Sequence, residues 1–387
     1  MFQVFIFDQK KQTGKNTMKT IKQLTFHASH NYGSVLQAYA LSKKLQMLGY
    51  ETEFINLRPT AQREAYKIIR KSDKGIHRLF RYLIYPSLKK RFDNYERFIN
   101  NVLPVSSREY SNTEEIKNEK FNCDAYICGG DQIWNPACQD FETAYYLQFL
   151  SDDDNSLKIS YAPSFGKTEF DEETISKIGK WIEKFDSISV RETRGAEFAQ
   201  RLTDKPVRTV CDPVLLLGID EWKSMAVAPR YKKPYILVYF LENNHGSRSL
   251  IDYLKKTLGY DVVVLNEYIR DFVKPYHKKY SASPEEFVGL FMNASFVYTN
   301  SFHGTAFATI FEKPFISAIA IDQENAQNNN DSRKIDYLKK IGLEERLYQK
   351  GLPSKDFLLN VDFMSAREKI DSFKNESILY LKNALKD

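Results

Sequence analysis

The sequence predicts an α/β protein made of two parallel layers, and three observations carry that expectation. Short β-branched or aromatic runs alternate with amphipathic, helix-period segments almost from end to end, the pattern of parallel strands joined by helical crossovers. At 387 residues the chain has the length of two domains at roughly 150 residues each. A stretch from Gly218 to Lys233, marked by Pro229 and followed by Pro234, separates two such series.

In the first series, Ile21 to Phe26 reads as a strand, and the polar run from His27 to Ser34 as a turn. A helix follows, with Ala38, Leu41, Leu45 and Leu48 on one face and Gly49 at its C-cap. Glu51 to Leu57 is the next strand. The turn carries Asn31, Tyr32 and Gly33 with two histidines, which makes it one candidate ligand edge, although its glycines do not form G-x-G-x-x-G. From Arg58 to Arg91 cations interleave with apolar residues, as on helices with one basic and one apolar face. Asp124 to Cys128 reads as a buried strand that delivers Gly129-Gly130-Asp131-Gln132-Ile133-Trp134-Asn135. The glycines admit a ligand close to the backbone. Asp131, Gln132 and Asn135 offer hydrogen bonds for sugar hydroxyls, and Trp134 an apolar face. Lys158 to Ala162 is a strand, Glu173 to Phe185 a helix, and Ile188 to Val190 a strand that delivers Arg191 to the start of another helix. Val207 to Cys211, followed by Asp212-Pro213, closes the series.

The second series runs strand (Tyr235 to Leu241), helix (Ser247 to Leu258, ended by Gly259), strand (Asp261 to Leu265), then a helix opened by Ser283-Pro284-Glu285-Glu286. That opening has Ser at the N-cap, Pro at the first helical position and Glu at the third. Ser295 to Thr299 is a strand, and Asn300-Ser301-Phe302-His303-Gly304 turns into a helix running to Phe311. His303 thus stands where a strand's carboxyl end meets a helix start, a place suited to an anionic substrate and to proton transfer. Phe315 to Ala318 is a strand, Asp322 to Ser332 a polar loop, and Arg333 opens the next helix. A last helix from Ser365 to Leu385 is expected to pack across the domains or on the first.

Composition narrows the function. A net charge of +6 is too small to argue for nucleic acid but suits an acidic or phosphorylated substrate. Cys123, Cys128, Cys138 and Cys211 show no C-x-x-C spacing, which argues for free thiols in a reducing compartment and against zinc. No apolar run approaches the ~20 residues of a membrane span, and Met1 to Asp8 lacks the features of a secretory signal. Residues 1–17 read either as a disordered tail ahead of the first strand or as an upstream misassigned start before Met18.

Taken together and in order, several of these motifs resemble the polysaccharide pyruvyl transferase family. They are Asn31-Tyr32-Gly33-Ser34-Val35-Leu36-Gln37, Gly130-Asp131-Gln132-Ile133-Trp134-Asn135-Pro136, Ser160-Tyr161-Ala162-Pro163-Ser164-Phe165-Gly166, Ser189-Val190-Arg191-Glu192, Asp212-Pro213, Thr299-Asn300-Ser301-Phe302-His303-Gly304 and Asn330-Asp331-Ser332-Arg333. The resemblance spans roughly residues 19–345. It implies two Rossmann-like domains facing a cleft, the GT-B arrangement, and transfer of pyruvate as a ketal from phosphoenolpyruvate to a sugar of a capsular or other surface polysaccharide. Well-studied members carry Arg-Leu-His, whose arginine holds phosphoenolpyruvate, where this chain has Ser301-Phe302-His303, a form that looks typical of a large subgroup. Either the substrate differs or that role passes here to another cation, with Arg191 matching a second donor-binding arginine and Arg333 and Lys313 as stand-ins.

The expected assignment follows. Residues 18–217 form the acceptor-side domain with inserted basic helices, 232–345 the donor-side domain, and 346–387 a helical extension. His303 and Asp131 are the catalytic pair. Arg191, Ser301, Gly304, Lys313 and Arg333 bind the donor, and Asn31, Tyr32, Gly33, Gln132, Trp134 and Asn135 the acceptor. Phosphoenolpyruvate is a co-substrate, with no other cofactor and no metal. A cytoplasmic protein is expected, touching a lipid-linked acceptor at the inner membrane face through residues 63–91. The alternatives are a nucleotide-sugar glycosyltransferase of the same architecture and a non-catalytic glycan-binding relative.

Overall fold

The computed structural model describes residues 18–117, 119–241, 245–319 and 331–386. Seven strands belong to the first half: β1 (Thr20–Leu24), β2 (Glu51–Leu57), β3 (Val105–Tyr110), β4 (Ala125–Gly129), β5 (Leu157–Tyr161), β6 (Ile188–Val190) and β7 (Val207–Thr209). The first five form an all-parallel sheet ordered β3-β2-β1-β4-β5, and β6 and β7 pair beside it. The second half supplies β8 (Tyr235–Tyr239), β9 (Asp261–Val264), β10 (His277–Lys278), β11 (Phe296–Thr299), β12 (Phe315–Ala318) and β13 (Leu347–Tyr348). These build a second parallel sheet ordered β10-β9-β8-β11-β12-β13. Both sheets reverse strand order at their centres, beside β1 and β8, and such switch points are where open α/β sheets bind ligands. The molecule has two Rossmann-like layers in the GT-B manner.

Local chemistry explains the boundaries. The helix 32–47 starts two residues before the expected Ser34, because the Asn31 side chain accepts from the Gly33 N–H and fixes the first turn. The helix 284–293 opens on the capping box expected of Ser283 and Glu286. The linker region is not bare: Ile219–Met225 is a helix whose Trp222 is fully buried against Phe307 and Tyr39, knitting the halves. β13 extends the second sheet past the expected boundary at 345, because Leu347 and Tyr348 pair with Ser317 and Ala318. The loop expected from Asp322 lies outside the described residues as far as Asn330, as do residues 1–17.

One apolar cluster runs through both halves, from Val35, Leu36 and Leu41 to Phe287, Phe291 and Phe307. The C-terminal helix, Phe363–Ala384, straps the two together. Its Ser377 hydroxyl accepts from the Cys211 N–H and Tyr380 donates to the Ser160 carbonyl, while Arg367 pairs with Glu312 of the second half. Between β2 and β3, residues 59–101 form helices 60–65, 75–83 and 85–101. They cross to the second half, where Asn94 donates to the Ser281 carbonyl and Arg97 pairs with Glu285.

Candidate functional site

The site assembles around the first turn of helix 32–47. Gly33 lies so close to His303 that a Cβ there would stand 2.0 Å from the ring's Nδ1, so any other residue would push the two halves apart. The next residue, Ser34, donates to the Asp131 carboxylate. One turn on, Gln37 lies against Gly130, whose φ of +74° and contact with the Gln37 amide both exclude a side chain. Three segments far apart in sequence therefore meet on one helix face. The start of helix 302–310 meets the start of helix 32–47 at the Gly33–His303 contact, so two positive dipole ends converge on one spot.

His303 is 5% exposed, with Phe302 edge-on to its ring. Its Nε2 lies 3.5 Å from Asp212 Oδ2 without the alignment of a hydrogen bond. The same Asp212 oxygen accepts from the Arg191 Nη1 at 2.6 Å, while its Oδ1 caps the turn 213–216 by accepting from the Val214 N–H. Burial alone would raise the Asp212 carboxyl, but His303 and Arg191 outweigh it and hold it well below the usual carboxylate range. Arg191 also donates from Nε to Glu192 at 2.8 Å and stacks over Phe302, 4.8 Å from the ring centroid. Burial opposes its charge, yet Glu192, Asp212 and Asp131 outweigh burial and keep it firmly protonated. Its Nη2 is buried with no hydrogen-bond partner, as is His303 Nε2. Buried nitrogens of this kind are nearly always satisfied in a folded chain, so both are free to donate to a further acceptor.

Arg333 stands within electrostatic reach of Arg191. Burial and then the Arg191 charge pull it below its ordinary value. The Asp131 and Glu192 charges act on both guanidinium groups and offset part of that repulsion. A cavity of about 380 Å³ is lined by both arginines, Asp212, Phe302, Asp336 and Tyr337, among others.

Other expected site residues are placed differently. Trp134 is fully buried, stacked on Tyr146 with its indole N–H donated to the Tyr145 carbonyl, so it offers no face to a sugar. Gln132 and Asn135 are half-buried and bind each other under Gly166. Tyr32 is buried on Phe287 and donates to the Ala282 carbonyl, which makes it a bolt between the halves. The Ser301 hydroxyl caps its own helix by accepting from the Gly304 N–H, committing both groups, and Gly304 is small because Thr299 and Tyr239 press on it. Lys313 follows the far end of that helix, which lies seven residue steps or roughly 10 Å along the axis from His303. It cannot replace an arginine at position 301. Asp212 was missed as a site residue. Its signal was present in Asp212-Pro213 at the end of a strand, but its partners are 21 and 91 residues away from it in the chain. Among the described residues no cluster of three or more His, Cys, Asp or Glu side chains is arranged to hold a metal ion.

Fold and site together define a two-layer α/β protein with an arginine-, aspartate- and histidine-bearing centre between its halves. The chain belongs to the polysaccharide pyruvyl transferase family, whose model matches residues 31–323. Membership makes it a transferase of polysaccharide biosynthesis. No curated protein matches it. Among solved structures it is similar to a UDP-N-acetylglucosamine 2-epimerase from Rickettsia bellii (11% identity, 95% of this chain and 97% of that one, TM-score 0.47). It is also similar to the wall teichoic acid polymerase TagF (13% identity, 95% and 89%, TM-score 0.47). A third is the E. coli heptosyltransferase WaaC (12% identity, 80% and 91%, TM-score 0.38).

Proposed function

We propose that the protein transfers pyruvate from phosphoenolpyruvate to two hydroxyls of a sugar in a surface-polysaccharide precursor. The observation that carries this reading is the pair of unsatisfied nitrogens, Arg191 Nη2 and His303 Nε2, on the two side chains that meet at Asp212 Oδ2. In the reaction, C3 of the donor gains a proton and C2 becomes cationic. One sugar oxygen bonds to C2, a second displaces phosphate, and the C2–O bond to phosphorus breaks with its electron pair leaving on phosphate. Of the two hydroxyl protons released, one balances the proton taken up at C3 and the other leaves with phosphate. His303 is the acid, and Arg191 and Arg333 hold the carboxylate and phosphate. Asp212, a permanent carboxylate between His303 and Arg191, orients both. Asp131, half-buried and held by Ser34, is the base for an attacking hydroxyl.

The acceptor in this reading is lipid-linked and met at the inner face of the membrane. No helix among the described residues is long and apolar enough to cross a membrane. Helix 75–83 nevertheless turns Ile76, Leu79 and Leu83 outward, 66%, 69% and 64% exposed. Exposed Lys71, Lys74, Arg78 and Lys90 surround them. The contact expected of the whole run 63–91 narrows to this helix, because Arg81 and Arg91 are spent on Glu267.

The test is to incubate purified protein with phosphoenolpyruvate or nucleotide sugars and a panel of galactosyl, glucosyl and N-acetylhexosaminyl acceptors. Acceptor-dependent phosphate release is the expected result. Nucleotide release would replace this reading with glycosyl transfer, and saturable glycan binding without either product would replace it with a binding role.

A further inference from the structure

A second cavity, about 370 Å³, lies between the 59–101 insert and the carboxyl ends of β8 and β9. It begins next to the catalytic contact: Asn31 and Tyr32 line it, and Gly33 touches His303. Its floor is an ion network already closed on itself. Arg91 grips Glu267 through both Nη atoms, at 2.7 and 2.9 Å, and Arg81 binds Glu267, Asp73 and the Ile68 carbonyl. Its wall is aromatic, with His30 stacked on Tyr95 at 5.0 Å and Tyr66 beside them.

Two polar atoms in this lining are not satisfied. Arg70 Nε and Asn266 Oδ1 are both buried without a hydrogen-bond partner, one a cationic donor and the other a neutral acceptor. Each unmade bond costs roughly 1–3 kcal/mol, which a ligand in the cavity would recover after a small turn of either lining side chain. The donor calls for an anionic oxygen, the acceptor for a hydroxyl or amide N–H, and the aromatic wall for the apolar face of a ring. The volume suits a ligand of one or two sugar rings with a phosphate. We propose that this cavity is a second ligand site, which takes a phosphorylated sugar with its phosphate at Arg70 and a hydroxyl at Asn266. Naming that ligand as the acceptor rests on the reaction proposed above; its binding here does not.

The experiment is calorimetric titration of the full-length protein with a hexose 1-phosphate, a uridine-diphosphate hexose and a short-prenyl diphosphate hexose, and separately with phosphoenolpyruvate. The three sugars share the recognised chemistry and differ in its source. At least one should saturate, and Arg70→Gln should weaken it by about ten- to a hundredfold, the scale of one lost charge-assisted hydrogen bond. Phosphoenolpyruvate affinity should stay within about twofold of the parent on that scale. Asn266→Ala should weaken the same sugar several-fold. Arg70→Lys keeps the charge and should recover most of the affinity, which covers a poorly folding Arg70→Gln. The proposal is overturned if none of the three sugars binds, if Arg70→Gln binds as tightly as the parent, or if phosphoenolpyruvate weakens in step. Sugar binding lost in Arg70→Gln, with no phosphoenolpyruvate binding to the parent, would sink the donor assignment and leave this site standing.

Discussion

Two buried ion clusters join the halves of this protein, and they are finished differently. At Arg91–Glu267–Arg81 the carboxylate is bracketed by two arginines, of which Arg81 also reaches Asp73 and the Ile68 carbonyl. At Arg191–Asp212–His303 the carboxylate is bracketed as well, but a nitrogen on either side of it is left without a hydrogen bond. A closed cluster fixes geometry. An open one holds charge ready for something else, and the energetic cost of leaving it open is borne by the closed contacts around it.

Catalysis should therefore be lost through the open cluster alone. His303→Asn is expected to lower turnover by about 10²–10⁴ while leaving donor affinity within a few-fold, as loss of a general acid does. Single-turnover rates beside calorimetric binding of phosphoenolpyruvate measure both. Near-normal turnover would reduce His303 to a packing residue against Gly33 and shift the acid to Asp131.

The closed cluster should respond in stability. Glu267→Gln leaves two buried arginines without their shared counter-charge, and breaking such a pair costs roughly 3–5 kcal/mol. Denaturant unfolding should show that loss. If instead stability holds and turnover falls, the comparison between the clusters is wrong.

Acid titration separates the closed cluster from a third buried group. His27 is fully buried, its ring nitrogens 3.3 Å from the Thr25 carbonyl and Asn56, and burial lowers it to about 4 from 6.5. Its folded value is depressed, so the unfolded chain takes up the proton first and stability falls as pH drops from 6.5 towards 4. A gap of this size corresponds to about 3 kcal/mol. Burial would raise Glu267, but Arg91 and Arg81 outweigh it and bring it down to about 2 from 4.5. Its contribution is present above 4.5 and is lost as pH falls towards 2. Urea midpoints measured from pH 7 to 3 should show the upper window flattened in His27→Gln and the lower one in Glu267→Gln. A single slope unaffected by either variant would rule the assignment out.

Much of this was legible in the chain. The strand Glu51 to Leu57, the Ser283 capping box and the strand Phe315 to Ala318 stand where hydrophobic pattern and capping chemistry put them, because those signals are local. The strands that escaped are edges. Val105–Tyr110 is Val-Ser-Ser-Arg-Glu-Tyr, mostly half-buried or exposed, and His277–Lys278 is too short to show a period. In the site, His303, Asp131, Arg191 and Gly33 could be singled out because each sits in the turn or first helical turn that follows a strand. Asp212 and the second cavity could not, since their meaning lies in partners. Arg91 and Glu267 are 176 residues apart, and no pattern within either segment announces the other.

Within the open cluster, binding should part from chemistry. Arg191→Lys replaces a planar fork with a point charge, so the contacts to Glu192, Asp212 and a ligand cannot all be kept. Donor affinity should fall by the worth of one charged hydrogen bond, roughly 1.5–3 kcal/mol, with the single-turnover rate at saturating donor changed much less. Calorimetry on this variant beside His303→Asn gives the contrast, and an unchanged donor affinity would remove Arg191 from the binding site.

The smallest expected effect compares cations within the insert. Arg81 and Arg91 face inward on Glu267, while Lys71, Lys74, Arg78 and Lys90 stay in solvent around the outward face of Ile76, Leu79 and Leu83. Only the second set can meet a bilayer, and each exposed cation near an anionic surface contributes roughly 1 kcal/mol. Flotation with vesicles rich in anionic lipid should show binding that weakens with salt and falls in a variant with those four cations changed to Gln. Changing Ile76, Leu79 and Leu83 to Ser should reduce it further and make the remainder more salt-sensitive, since only the electrostatic part survives. Both variants leave the buried arginines in place, so their unfolding midpoints should match the parent's. Equal flotation by parent and both variants would mean that helix 75–83 serves only as the wall of the second cavity.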